Sequence, residues 1–211
     1  MQKQICIVTG ANGFLGKELC PYLEAKGLDV IRCVRTKNKP QEFETGDLAL
    51  FKDWSKLLEN AHTVIHLAAK VHDMSNPPLE VYMSQNRDVT YKLAEEAKKY
   101  GVKKFIFLSS IKVNGEFTDE KPFTAEDTPH PQDPYGFSKL EAEKKILALH
   151  EPGIFEVIVI RPCLIYGRQV KANFRQLVKL VKLQLPLPFA SVQNKRSLVS
   201  LDNLIDFIDL L

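Results

Sequence analysis

The stretch that most constrains this chain is Thr9-Gly10-Ala11-Asn12-Gly13-Phe14-Leu15-Gly16. It follows Gln4-Ile5-Cys6-Ile7-Val8, a short apolar and β-branched run that reads as a buried strand, and it opens a segment with helical spacing. Three glycines at intervals of three meet three needs of a strand–turn–helix unit. Gly10 permits the sharp exit from the strand, Gly13 omits the Cβ that would hold a pyrophosphate away, and Gly16 lets the helix lie close to the sheet. Backbone N–H groups at the start of that helix then face an anion. The G-x-x-G-x-x-G spacing is looser than G-x-G-x-x-G, and a glycine turn without a ligand is the competing reading until the rest of the chain is considered.

Strand and helix patterns alternate after this turn. Residues 28–34 form a second strand, 43–45 a short extended piece, 50–58 a short helix and 63–69 a buried strand. Residues 79–100 have helical spacing, with Val81, Val89, Leu93 and Ala97 apolar and Gly101 as the stop; 102–109 and 154–161 are further strands, and 170–184 is a basic amphipathic stretch. This alternation predicts an α/β fold, a Rossmann-like doubly wound parallel sheet with helices on both faces. Residues 1–170 are expected to form the dinucleotide-binding domain with the catalytic residues, and 171–211 part of a small substrate-binding portion. The amphipathic pattern of 201–211 stops without a Gly, Pro or basic signal, so a truncated C-terminal portion is expected.

A chain of 211 residues has room for one good core, and 45% hydrophobic with 26% charged residues places it among globular proteins. Its net charge of +3 is spread along the chain, which argues against nucleic acid and membrane partners. Cys6, Cys20, Cys33 and Cys163 show no metal-ligand spacing and read as small apolar residues in a reducing compartment. The five histidines are scattered, so no metal is expected, and without a leader pattern or a long apolar run the cytoplasm is the expected location.

Four further features bear on chemistry. The second strand ends in Arg35, with Arg32, Lys37 and Lys39 nearby and no acidic residue at its end, which suits a 2′-phosphate and hence NADP over NAD; a solvated basic loop is the alternative. Leu67-Ala68-Ala69 is small enough for a flat cofactor to pass, or for a helix to pack upon. Residues 114–133, with Pro122, Pro129 and Pro131, make a long polar connection suited to a lid. Tyr135 and Lys139, four apart on the next helix, share a face, and an ammonium near a phenol favours the phenolate. Bringing the phenol from a reference value of ~10 to ~7 takes roughly 4 kcal/mol. A Tyr-x-x-x-Lys pair standing alone is more often an exposed tyrosine beside a solvated lysine.

Taken in order, Thr9 to Gly16, Asp47-Leu48, Leu67-Ala68-Ala69, Ser109-Ser110, Tyr135 to Lys139, and Arg161-Pro162 with Tyr166-Gly167 resemble the extended short-chain dehydrogenase/reductase family, in its NAD-dependent epimerase/dehydratase group acting on nucleotide sugars. The segments from His66 to His72 and from Asn194 to Val199 look like those of bacterial enzymes acting at C4 of UDP-N-acetylhexosamines or their 4-keto-6-deoxy derivatives in surface-polysaccharide synthesis. The resemblance implies that Ser110 hydrogen-bonds the substrate's C4 oxygen, Tyr135 is the acid/base and Lys139 bonds the nicotinamide ribose. It implies cofactor contacts from Gly10, Asn12, Gly13, Phe14, Leu15, Gly16, Arg35, Asp47, Leu48, Leu67, Ala68 and Ala69, with the Asp47 carboxylate on the adenine amino group. Asn86, Asn173 and Arg196 fall at substrate contacts, Arg196 neutralising the diphosphate. A homodimer through the helices carrying Asn86 and Tyr135 is also implied. The chain departs from the family pattern in having Asn114 where a tyrosine is usual, and basic residues after the second strand. The expected activity is hydride transfer at C4 as a reductase, with a 4-epimerase as the alternative. A dinucleotide sensor without chemistry and an NADPH reductase of a steroid-like or flavonoid-like ketone are further options.

Overall fold

Apolar residues at consecutive positions, rather than alternate ones, mark strands covered on both faces. The computed structural model describes residues 3–71, 77–118, 121–168, 176, 179–183 and 195–211, and these runs form its central sheet. Strands β1 (Ile5–Thr9), β2 (Asp29–Val34), β3 (Glu42–Glu44), β4 (Ala61–His66), β5 (Lys104–Leu108) and β6 (Glu156–Ile160) lie in the order β3-β2-β1-β4-β5-β6, every neighbouring pair parallel. Cys6, Ile7 and Val8 of β1, and Phe105, Ile106 and Phe107 of β5, are buried side by side.

Helices α1 (Gly16–Ala25), α2 (Trp54–Leu58), α3 (Leu79–Tyr82), α4 (Val89–Lys99) and α5 (Pro134–Leu147) supply the covering layers. Leu57, Leu58, Leu93, Ala97, Ile146 and Phe155 close over Phe105 and Phe107 in one apolar cluster. The expected Rossmann-like architecture is therefore present. The strand order reverses beside β1, so a crevice opens at the carboxyl ends of β1 and β4, where open α/β sheets bind ligands.

Several boundaries differ from the sequence reading. Residues 47–51 are turns, with Asp47 Oδ1 accepting from Ala49 N at 2.9 Å, so the short helix begins at Trp54. Strand β4 stops at His66, with Leu67 N still donating to Thr9 O at 3.3 Å. The long helical segment is not uniform: a π-helical turn, Met83–Asp88, separates α3 from α4 and turns Asn86 inward. A 3-10 turn, Ile111–Val113, follows β5.

The chain divides into two compact units, Met1–Pro162 and Cys163–Leu211. The division lies ahead of the expected 170/171 boundary because β7 (Leu164–Tyr166) pairs in parallel with β8 (Leu198–Ser200) of the second unit. Helix α6 (Leu201–Asp209) follows, capped by Ser200 Oγ accepting from Asn203 N at 3.1 Å, with Leu201, Leu204, Ile205 and Ile208 buried at helical spacing. Most of the amphipathic stretch expected over 170–184 lies outside the described residues. No described helix is long and apolar enough to cross a membrane.

Candidate active site

The glycine turn is built by backbone close approach. Gly10 has φ +70°, and a Cβ there would lie 2.8 Å from Ala68 N, so the first turn and the exit of β4 touch main chain to main chain. A Cβ on Gly16 would lie 2.5 Å from Gly10 O and 2.7 Å from Ala11 Cα. The turn closes through Gly13 N donating to Gly10 O at 2.8 Å. Asn12 and Gly13 are exposed, Phe14 is half-buried and Leu15 is buried. No side chain caps α1 at Leu15, which leaves its positive end facing outward. A cradle that side chains would fill, at an uncapped helix start beside the crevice, fits the pyrophosphate of a dinucleotide.

At the adenosine end, Asp47 and Leu48 are half-buried and Arg35 is exposed. Arg32 is held by Glu24 at 2.6 Å. The sequence reading found no acid at the end of β2, yet the sheet brings one there from β3: the register pairs Val34 with Glu44, and Glu44 Oε2 accepts from Lys37 N at 3.0 Å. An acidic residue therefore reaches the strand end that Arg35 follows.

Ser110, Tyr135 and Lys139 come together. Ser110 caps the 3-10 turn, its Oγ accepting from Lys112 N at 3.2 Å, and its side chain acts on the Tyr135 phenol to favour ionisation. Tyr135 lies in the first turn of α5, whose start is fixed by Asp133 Oδ1 accepting from Gly136 N at 2.6 Å. Gly136 has no room for a side chain, since its Cβ would lie 2.8 Å from Lys112 O. Lys139, one turn on, is 1% exposed, with Nζ 4.0 Å from the centroid of the Phe107 ring. Burial pushes its ammonium down from 10.5 to about 7, against the pull of the Glu143 carboxylate.

Electrostatically the phenol differs from the sequence expectation. Burial pushes Tyr135 up from its ordinary value, and Asp133 adds to this; the Ser110 side chain and the Lys112 ammonium act the other way. Lys139 does not counter this rise. Two observations account for this: Lys139 faces Phe107, and its own charge is disfavoured by burial.

Two supporting groups escaped the sequence reading. Glu143, 1% exposed and one turn beyond Lys139, accepts from Ser109 Oγ and pairs with Arg161 Nη2 at 2.6 Å; Arg161 Nη1 donates to Asn114 Oδ1 at 3.1 Å, and Asn114 Nδ2 donates to Thr124 O at 2.9 Å. The departure at Asn114 thus ties the 114–133 loop to β6. His66, fully buried, bridges Thr9 Oγ1 at 2.6 Å and Thr90 Oγ1 at 3.0 Å, and burial with the Lys139 charge pushes it down from 6.5 to about 3. It is neutral at any ordinary pH. The periodicity that places Tyr135 and Lys139 on one face extends to Glu143, which was the available signal.

Asn86 is buried with its amide committed inside the protein: Nδ2 donates to Ser138 Oγ at 2.9 Å and to Lys70 O at 3.0 Å, and Oδ1 accepts from Lys70 N at 2.7 Å. Ser138 Oγ in turn donates to Tyr135 O at 2.8 Å, so Asn86 braces the helix that carries the phenol. Leu67, Ala68 and Ala69 are half-buried beside the glycine turn. Arg196 is exposed in the second unit, and Asn173 lies outside the described residues.

A six-stranded parallel sheet in this order, a glycine cradle at its switch point and a serine–tyrosine–lysine trio define the extended short-chain dehydrogenase/reductase class. The chain belongs to the NAD dependent epimerase/dehydratase family, whose sequence profile matches residues 6–211. A UDP-glucose 4-epimerase of Vibrio cholerae is 45% identical over 217 residues, which is 99% of this chain and 66% of that protein. A human sterol-4-alpha-carboxylate 3-dehydrogenase, decarboxylating, is 33% identical over 173 residues, covering 79% of this chain and 46% of its own. The chain thus spans less than two thirds of these relatives' lengths. Among solved structures, MoeE5 in complex with UDP-glucuronic acid and NAD superposes with a TM-score of 0.81 at 26% identity, over 97% of this chain and 71% of the other.

Proposed function

We propose that the protein transfers a hydride between a nicotinamide dinucleotide and C4 of a nucleotide sugar, a UDP-N-acetylhexosamine or its 4-keto-6-deoxy derivative. The observation that carries this reading is the meeting of Ser110 and Tyr135, joined through Lys112 and Asp133, one helical turn from Lys139 in the same unit as the glycine cradle. When bound, the dinucleotide supplies the hydride donor or acceptor. The Ser110 hydroxyl orients the C4 oxygen. The Tyr135 phenol gives its proton to that oxygen in reduction and takes it in oxidation, a transfer worth about a hundredfold or more in rate. Lys139 would hold the nicotinamide ribose by turning its ammonium from the Phe107 ring, and the Glu143–Arg161 pair keeps the Ser109-Ser110 strand end and α5 in register. Arg196 and Asn173 are proposed for the substrate diphosphate and sugar.

Two directions are open to this chemistry, each favoured by a specific observation. The exposed Arg35 guanidinium suits a 2′-phosphate and hence NADPH, the usual donor for net reduction of a 4-ketosugar. The Vibrio cholerae relative and Glu44 beside the same strand end favour NAD and 4-epimerisation, in which the hydride returns to the other face of the sugar. Mixing the purified protein with UDP-4-keto-6-deoxy-N-acetylglucosamine and NADPH, and following nicotinamide absorbance, separates them. Consumption of NADPH identifies the reductase. No consumption, with interconversion of UDP-N-acetylglucosamine and its C4 epimer in the presence of NAD, identifies the epimerase. Absence of both, together with no binding of UDP by calorimetry, refutes the nucleotide-sugar reading and leaves the sterol-like ketone or the sensor.

A further inference from the structure

One side chain joins the two elements that carry the Ser110 hydroxyl and the Tyr135 phenol. Lys112 donates its backbone N–H to Ser110 Oγ at 3.2 Å. Its carbonyl occupies the space a side chain on Gly136 would need, so the first turn of α5 rests directly on it. Its half-buried ammonium pairs with the Asp133 carboxylate, and with Glu116 Oε1 at 2.8 Å. Asp133 meanwhile caps α5 through its other oxygen, on Gly136 N at 2.6 Å. Ser110 and the head of the tyrosine helix, distant in sequence, are thus clasped by a single ion pair, and Glu116 draws the start of the long loop onto the same ammonium.

We infer that Lys112 is a positioning residue: its ammonium, clasped to Asp133, ties the head of α5, and with it Tyr135, to the turn that carries Ser110. The inference rests on the C4 hydride-transfer reading only for its kinetic consequence. Other charged groups on elements packed against α5 are differently engaged. Lys139 and Glu143 lie deeper on the same helix, Glu143 being held by Arg161 from the end of β6. His66 at the end of β4 is neutral, Arg87 on the π turn is bound to Asp88 at 2.7 Å, and His130 on the long loop is exposed. Asp133 and Lys112 are left as the opposing charges acting on the phenol, the first raising its titration and the second lowering it.

The test is the ionisation of Tyr135 itself, read as the phenolate absorbance difference between each protein and its Tyr135→Phe counterpart as pH rises. Lys112→Met should move that titration upward by about 1 pH unit, a size expected for one partly exposed charge at close range. Lys112→Arg should restore it. Asp133→Asn keeps an oxygen for the helix cap and removes the charge, so it should move the titration downward; it also serves if Lys112→Met fails to fold. A folded Lys112→Met, or Asp133→Asn, whose phenol titrates as in the parent overturns the inference. Shifts of the expected sign in a protein that turns over no nucleotide sugar uphold the clasp and refute the C4 reading instead. Turnover with unmoved titrations does the reverse.

Discussion

Replacing Lys139 with methionine should make this protein more stable while removing its proposed chemistry. The ammonium is fully buried, and its titration falls from 10.5 in water to about 7 in the fold. At ~1.4 kcal/mol per pH unit, the charged form is disfavoured inside by about 4 kcal/mol at neutral pH. Loss of the contact with the Phe107 ring gives back roughly 1–2 kcal/mol, and Glu143 keeps its pairing with Arg161. A net gain of about 2 kcal/mol is expected, or roughly 4–8 °C in Tm for a chain of this size. The pH dependence fixes the cause. Because the folded chain holds this proton less tightly than the unfolded one, the unfolded state binds more protons between pH 7 and 10.5, and wild-type stability from this group rises with pH across that window. Denaturant melts of both proteins from about pH 6 to about pH 9 should show the variant's advantage largest at low pH and shrinking as pH rises. A methionine variant less stable than the parent, with a gap that does not change with pH, refutes the reasoning.

Other substitutions separate the parts of the site. Arg35→Asp should weaken NADPH by about tenfold or more relative to NADH, since a charge-assisted bond to phosphate is lost; equal losses in fluorescence titrations would show that the exposed loop does not read the phosphate. Gly10→Ala forces a side chain into φ +70° and to 2.8 Å from Ala68 N, and should cost about 2–4 kcal/mol in urea melts along with dinucleotide affinity. Glu143→Gln removes the partner of Arg161 in a buried pair and should cost about 3 kcal/mol; a neutral effect would mean that the Ser109 and Asn114 contacts hold the strand end without it.

The glycine turn was readable in the sequence because each residue there answers a local backbone requirement: Gly10 the positive φ, Gly16 the close approach. The shared face of Tyr135 and Lys139 was readable because helical spacing is local too. The sign of the phenol's shift was not, since it depends on how deeply α5 is buried and on Lys112 and Asp133 from different segments. The Ser109–Glu143–Arg161–Asn114 chain joins β5, α5, β6 and the long loop, and no spacing along the sequence announces such a pairing. Glu44 escaped for a related reason: it reaches the end of β2 through strand register. The π turn at Met83–Asp88 hides within an apolar pattern that still looks helical across 79–100, and only the buried Asn86 amide between Lys70 and Ser138 shows why the helix widens there.

The most direct measurement follows one hydrogen. With reduced dinucleotide deuterated at the transferring position and UDP-4-keto-6-deoxy-N-acetylglucosamine as acceptor, or with C4-deuterated UDP-N-acetylhexosamine and oxidised dinucleotide, the label should pass between cofactor and sugar C4. In Tyr135→Phe that passage should be lost while dinucleotide affinity stays near that of the parent. A dinucleotide that neither gives up nor acquires the label during turnover by the parent protein, or label that moves as readily without the phenol, contradicts the account.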